Sequence, residues 1–153
     1  NLLDYIWGGD ERLGTIRKFL NELSDGDIKI HISTNGQVNE VIALLNQSKI
    51  SLNVFTYIHG FNNNRTGKIM YDINNDKCVK LATSKKVEFI KYVYDNHSIN
   101  EYAYIDDDSC EYADARQMCK TINLKKESGG MTCEYFIFIK ELFKMQTLVA
   151  SCK

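Results

Sequence analysis

Along the whole chain the hydrophobic period switches from helical to extended and back, and that alternation limits the folds open to it. Over residues 10–23 the apolar side chains Leu13, Ile16, Leu20 and Leu23 recur at helical spacing with charge between them, which predicts an amphipathic helix. Ile28, Ile30 and Ile32 then alternate with polar residues and stop at Ser33-Thr34-Asn35-Gly36, which reads as a strand and its loop. Val38, Val41, Ile42, Leu44 and Leu45 predict a second helix, and "SLNVFTYI" a second strand ending near Ile58.

The Gly/Asn-rich stretch after Ile58 interrupts the pattern. It leads to two short strand-like runs, "KIMYDI" and "CVKLA", joined at Asn74-Asn75-Asp76, the signature of a projecting β-hairpin inserted at about residues 60–83. Helix resumes with Ser84 as N-cap and Val87, Ile90, Val93 and Tyr94 on one side, followed by the strand "EYAYI". A short helix over about 109–118, the strand "KTINL" and a long helix from Thr132 to Val149 complete the series. Strands alternating with helices predict an α/β fold, a three-layer Rossmann-like parallel sheet with helices on both faces, in one domain over 1–153.

Composition narrows the function classes. The 153 residues suffice for one core, and the 44% hydrophobic and 25% charged fractions are those of a water-soluble globular chain. Nineteen basic and twenty acidic residues are interspersed, so no basic face points to nucleic acid and no polybasic arm to a membrane surface. Charge interrupts every apolar run well short of a bilayer span. Five scattered cysteines without metal-ligand spacing point to reduced thiols and a cytoplasmic setting.

In a doubly wound sheet, function gathers at the carboxyl ends of the strands. Three polar groups fall there. Ser33-Thr34-Asn35-Gly36 ends a strand and opens a helix, where backbone N–H groups receive anions; alternatively the hydroxyls only cap the helix. Lys85-Lys86 opens a helix at the end the dipole disfavours for cations, a mismatch that a bound anion repairs and that solvation also tolerates. Asp106-Asp107-Asp108 follows a strand, and carboxylates about 6 Å apart repel by about 3 kcal/mol at an effective dielectric of about 20. Asp108-x-x-Glu111 resembles a capping box, while Asp106 and Asp107 are paired hard oxygen donors suited to Mg²⁺ or else face water.

Taken in order, these segments resemble the haloacid dehalogenase superfamily. "IKIHISTNG" is similar to its second motif, "SKKVEFIKYV" to its third and "YAYIDDDSCEYADAR" to its fourth, with "CKTINLKKESGGMT" as the continuation. The resemblance implies Mg²⁺-dependent phosphoryl transfer through an aspartyl-phosphate. It implies that Thr34, or less readily Ser33, bonds the transferring group, with Asn35 and Gly36 beside it. It assigns charge neutralisation to Lys85, with Lys86 as the alternative, and Mg²⁺ to Asp106, assisted by Asp107. The superfamily's first motif, a central strand ending in D-x-D that carries the nucleophile, is absent from 1–153. Neither Asp4 nor Asp10 follows an apolar strand, so the nucleophile is expected upstream of residue 1.

A small insertion in place of a full cap implies an open site and a large phosphorylated substrate such as a phosphoprotein, nucleic acid being disfavoured by the charge. The alternative is a catalytically inactive scaffold of the same family kept for binding. A phospho-acceptor receiver domain ranks lower, because its acids precede its hydroxyl and lysine, the reverse of the order here.

Overall fold

The computed structural model describes residues 6–81, 85–97, 103–106, 116, 120–123 and 133–143. The chain is α/β and divides into two compact units, Asn1–Ser84 and Lys85–Lys153. In the first unit, α1 (Asp10–Asp25) precedes β1 (Ile30–Gln37), α2 (Val38–Gln47), a single 3₁₀ turn (Leu52–Val54), β2 (Phe55–Phe61), β3 (Lys68–Asp72) and β4 (Lys77–Lys80). The second contains α3 (Lys86–Asn96), β5 (Ala103–Asp106), β6 (Lys120–Asn123) and α4 (Cys133–Leu142). The short helix expected over 109–118 and the last turns of the final helix lie outside the described residues.

The first unit holds a four-stranded mixed sheet in the order β1-β2-β3-β4. The strands β1 and β2 are parallel and joined through α2, as a crossover requires, while β2, β3 and β4 run antiparallel. The expected hairpin is therefore present, turning at Asn74-Asn75-Asp76, but it extends the sheet instead of projecting from it. Pairing of Gly60 with Ile69 and of Phe61 with Lys68 also carries β2 three residues past the expected end at Ile58. The Tyr71 phenol donates to Asp76 Oδ1 (2.8 Å) across this turn, and that bond, with partial burial and the carboxylate's charge, raises the Tyr71 pKa above its ordinary value.

Amphipathic faces make the core. Leu13, Val38, Leu45, Ile50, Val54, Phe55 and Ile58 form one buried cluster, and Trp7, Leu20, Ile30, Ile32, Val41 and Ile42 pack around it. The strand pleat sends Ile30 and Ile32 to this cluster and His31 to the other face, where it stacks on Tyr57 at 5.2 Å between ring centroids. Ser48, fully buried where α2 ends, ties the helices together: Trp7 Nε1 donates to its hydroxyl (2.7 Å) and Arg17 Nε to its carbonyl (2.8 Å). The Arg17 contact also places a cation at the negative end of the α2 dipole.

Both α1 and α2 stop in the same way. Ile28 N–H donates to Leu23 O and Asp27 N–H to Ser24 O after α1; Ile50 N–H donates to Leu45 O and Lys49 N–H to Asn46 O after α2. These are Schellman bonds, and the residue at the turn takes a left-handed φ, 61° at Asp27 and 55° at Lys49. Glycine normally fills that position, and the neighbouring Gly26 instead sits one residue early at φ −85°.

In the second unit β5 and β6 form a parallel pair, with Asp106 opposite Asn123. Lys86, Phe89, Ile90 and Val93 are the buried residues of α3, spaced as one helical stripe.

A left-handed conformation costs a residue with a Cβ about 1 kcal/mol relative to glycine. Asp27→Gly and Lys49→Gly are each expected to raise stability by up to about 1 kcal/mol, measured by urea denaturation with an unchanged m-value. Lys49→Ala, which keeps the Cβ, is expected to show no such gain.

Candidate functional site

The polar segment after Ile32 runs from strand to helix with no intervening loop. β1 continues to Gln37 and α2 begins at Val38, but the pairing slips between Ser33 and Gln37, because Ser33 lies opposite His59 and Gln37 opposite Phe61. Residues 34–36 therefore arch over Gly60 as a bulge. A Cβ at Gly60 would lie 2.8 Å from Gly36 O and 2.9 Å from Thr34 Cγ2, so only glycine lets the arch close down on β2.

The arch assigns each hydroxyl a place. Gly36 N–H donates to Thr34 Oγ1 (3.0 Å), and Ser33 Oγ shares a 2.7 Å hydrogen bond with Nδ1 of the fully buried His59. Neither hydroxyl caps α2, whose N-cap position belongs to Gln37 without a side-chain cap bond. The capping alternative for Ser33 and Thr34 is thereby replaced: Thr34 closes the bulge, and Ser33 links β1 to β2. With the Gly36 bond on its oxygen, Thr34 keeps its O–H as a donor.

Asn35, at the crown of the arch, is exposed and takes two cations. Lys68 Nζ, from the first residue of β3, donates to Asn35 Oδ1 (2.8 Å), and Arg65 Nη2 donates to Asn35 O (3.4 Å). Both cations also stand over the ring of Phe61, Arg65 at 5.0 Å and Lys68 at 5.4 Å from its centroid. Lys68 is only 5% exposed, whereas Arg65 is exposed.

The remaining expected site residues lie in the second unit. Lys85 is exposed at the N-cap position of α3, and Lys86, the first helical residue, is buried at 7% exposure. Ser84, the expected cap, lies outside the described residues, as do Asp107 and Asp108. Asp106 ends β5 at the carboxyl edge of the parallel pair. The structure thus groups Ser33, Thr34, Asn35 and Gly36 in the first unit and holds Lys85, Lys86 and Asp106 in the second. Among the described residues, no three side chains of His, Cys, Asp or Glu converge as a metal site.

Sequence reasoning missed His59, Arg65 and Lys68. His59 hides in a stretch whose Gly/Asn content reads as loop, and Arg65 and Lys68 meet Asn35 only through strand pairing, across 30 and 33 residues of sequence. Two glycines, Gly60 and Gly67, bracketing an Asn-rich run were the available sign of close backbone approach.

Comparison with family models, with curated proteins and with solved structures found no match to this chain. No helix among the described residues is long and apolar enough to cross a membrane.

Gly60→Ala is expected to cost about 1–3 kcal/mol, the range for forced overpacking, because the nearest obstacle is a backbone carbonyl that cannot rotate away. Denaturant unfolding checks the cost. Loss of the nuclear Overhauser contacts between residues 34 and 60 would localise it to the arch.

Proposed function

We propose that this chain is part of a Mg²⁺-dependent phosphohydrolase of the haloacid dehalogenase type, acting on a phosphorylated substrate. The observation that carries the reading is the pairing of successive strands into two parallel pairs, β1 with β2 and β5 with β6. The leading strand of each pair carries, toward its carboxyl end, chemistry that phosphoryl transfer uses: hydroxyls at Ser33-Thr34, where the β1 bulge begins, and a carboxylate at Asp106, the last residue of β5. Among the described residues β1 is an edge of its sheet, so a further strand has backbone groups there to pair with. In this reading that strand comes from upstream of residue 1 and brings the aspartate nucleophile.

The roles follow from charge. The Thr34 O–H donates to a phosphoryl oxygen, with the Gly36 bond fixing its oxygen in place. Of the two lysines, Lys86 fits the ammonium that balances the nucleophile and the transferring group, because it is the buried one and its field is less screened by water. Lys85, exposed, contributes more weakly. Asp106 and Asp107 would hold Mg²⁺: they are adjacent hard oxygen donors in the sequence, and Asp106 ends β5 at the carboxyl edge of the parallel pair. The metal would supply charge neutralisation of the phosphate. The β3–β4 hairpin is built into the sheet and is too small to enclose a substrate, which fits a large phosphorylated partner such as a phosphoprotein.

Full-length protein is expected to hydrolyse p-nitrophenyl phosphate only with Mg²⁺. Asp106→Asn should abolish turnover without lowering the thermal midpoint, and Lys86→Gln should reduce kcat by about 10²-fold or more against a smaller loss for Lys85→Gln. An upstream coding sequence without an apolar run ending in D-x-D, or Mg²⁺-dependent turnover that survives Asp106→Asn, would refute the reading. Magnesium binding without any turnover would favour a non-catalytic scaffold.

A further inference from the structure

Asn35-Gly36 is the one Asn-Gly step in the chain, and such a step carries its own reaction. The backbone nitrogen of the glycine attacks Cγ of the asparagine and gives up its proton to water; the Cγ–Nδ2 bond breaks and ammonia leaves. Water then opens the cyclic imide at either carbonyl, which leaves aspartate or isoaspartate at the position. Nothing is oxidised or reduced, and water is the sole co-reactant. Glycine permits the attack best, because no Cβ shields its nitrogen and its backbone turns freely. Asn35 is exposed, so water reaches it.

The arch tethers every bond that this reaction must turn. Rotation about Cα–Cβ of Asn35 carries its Oδ1, which accepts from Lys68 Nζ at the start of β3 (2.8 Å). Rotation about Cα–C carries two further groups: Asn35 O, which accepts from Arg65 Nη2 (3.4 Å), and Gly36 N–H, which donates to Thr34 Oγ1 (3.0 Å). Gly36 O in turn lies against Gly60, 2.8 Å from where a Cβ would stand there. The attacking nitrogen is thus bonded back to residue 34, while the carbonyl it attacks is drawn out toward β3. The Lys68 bond also polarises that carbonyl, but polarisation speeds attack only by a nitrogen within reach.

We propose that Asn35 is a latent deamidation site, unreactive while the arch is closed and converted when the arch opens locally. Conversion is one-way. Aspartate puts a carboxylate where Lys68 now meets an amide, and isoaspartate adds a methylene to a main chain that already leaves no room at residue 60. Each molecule whose arch has opened is thereby marked. The chemistry is internal to the chain and independent of the phosphohydrolase reading.

The test incubates the chain at mildly alkaline pH, folded and in guanidinium chloride above its unfolding midpoint, and follows conversion of residue 35 by peptide mapping with mass spectrometry. Conversion is expected to be about tenfold slower or more in the folded chain, because opening the arch breaks several hydrogen bonds at once. Thr34→Val keeps the shape but removes the acceptor, and should raise the folded rate about fivefold, the worth of one hydrogen bond. Thr34→Ser retains the acceptor and should hold the original rate. Ile42→Val weakens the core away from the arch and should also leave the rate unchanged, which separates opening of the arch from unfolding of the chain. A thermal midpoint checks that each variant is folded. Should Thr34→Val not fold, Arg65→Ala, at an exposed position, frees Asn35 O and is expected to accelerate conversion in its place. Conversion as fast in the folded chain as in denaturant, no acceleration in the folded arch variant, or equal acceleration by that variant and Ile42→Val would overturn the proposal.

Discussion

The close passage of residues 34–36 over Gly60 sets the geometry of everything around the carboxyl ends of β1 and β2. With 2.8 Å between a would-be Cβ and Gly36 O, the arch leaves no room for a side chain at residue 60 of β2. That contact fixes where α2 starts, since Val38 follows the arch directly and its Cγ2 lies 3.3 Å from the same virtual Cβ. It also fixes Asn35 at the crown, and through Asn35 the positions of Lys68 and Arg65. One missing side chain thus links strand register, helix entry and surface charge.

The arch is affordable because the rest of the first unit is conventionally packed. Ile58, one residue from His59 on β2, is wholly buried in the cluster with Leu13, Val38 and Leu45. Burying side chains of this size contributes about 1.5–3 kcal/mol each, enough to offset a few strained backbone positions at about 1 kcal/mol. Those positions sit where the chain turns: Asp27 and Lys49 after helices, Arg65 and Asp76 in the sheet's two turns. The buried Lys68 ammonium sits on the Asn35 amide oxygen and over the Phe61 ring.

Elements whose period was strong were legible in the sequence. The first helix, the β-branched strand through Ile32, the second helix and the Asn-rich hairpin turn all stand where their spacing puts them, because each buries one face and the face dictates the period. Pairing partners were not legible. That β3 adds to β2 depends on contacts across a loop, and composition alone made His59, Gly60 and Phe61 look like that loop. The bulge was hidden for a related reason: Ser-Thr-Asn-Gly reads as a stop, whereas the structure uses it to continue the strand two residues out of register. At the third helix, Lys85 and Lys86 are indistinguishable by type, and only burial separates them.

On the functional side, the proposed phosphoryl transfer draws on the hydroxyls of Ser33-Thr34 in β1 and the carboxylate of Asp106 at the end of β5. Its central claim is covalent: an aspartate upstream of residue 1 is phosphorylated during turnover. The most direct measurement is acid quenching of full-length protein caught in reaction with a phosphate monoester and Mg²⁺, followed by peptide mapping by mass spectrometry. The account predicts a hydroxylamine-sensitive phosphate on the first aspartate of a D-x-D sequence preceding Asn1. Phosphate on a serine or histidine of this chain, Ser33 or His59 in particular, would contradict it.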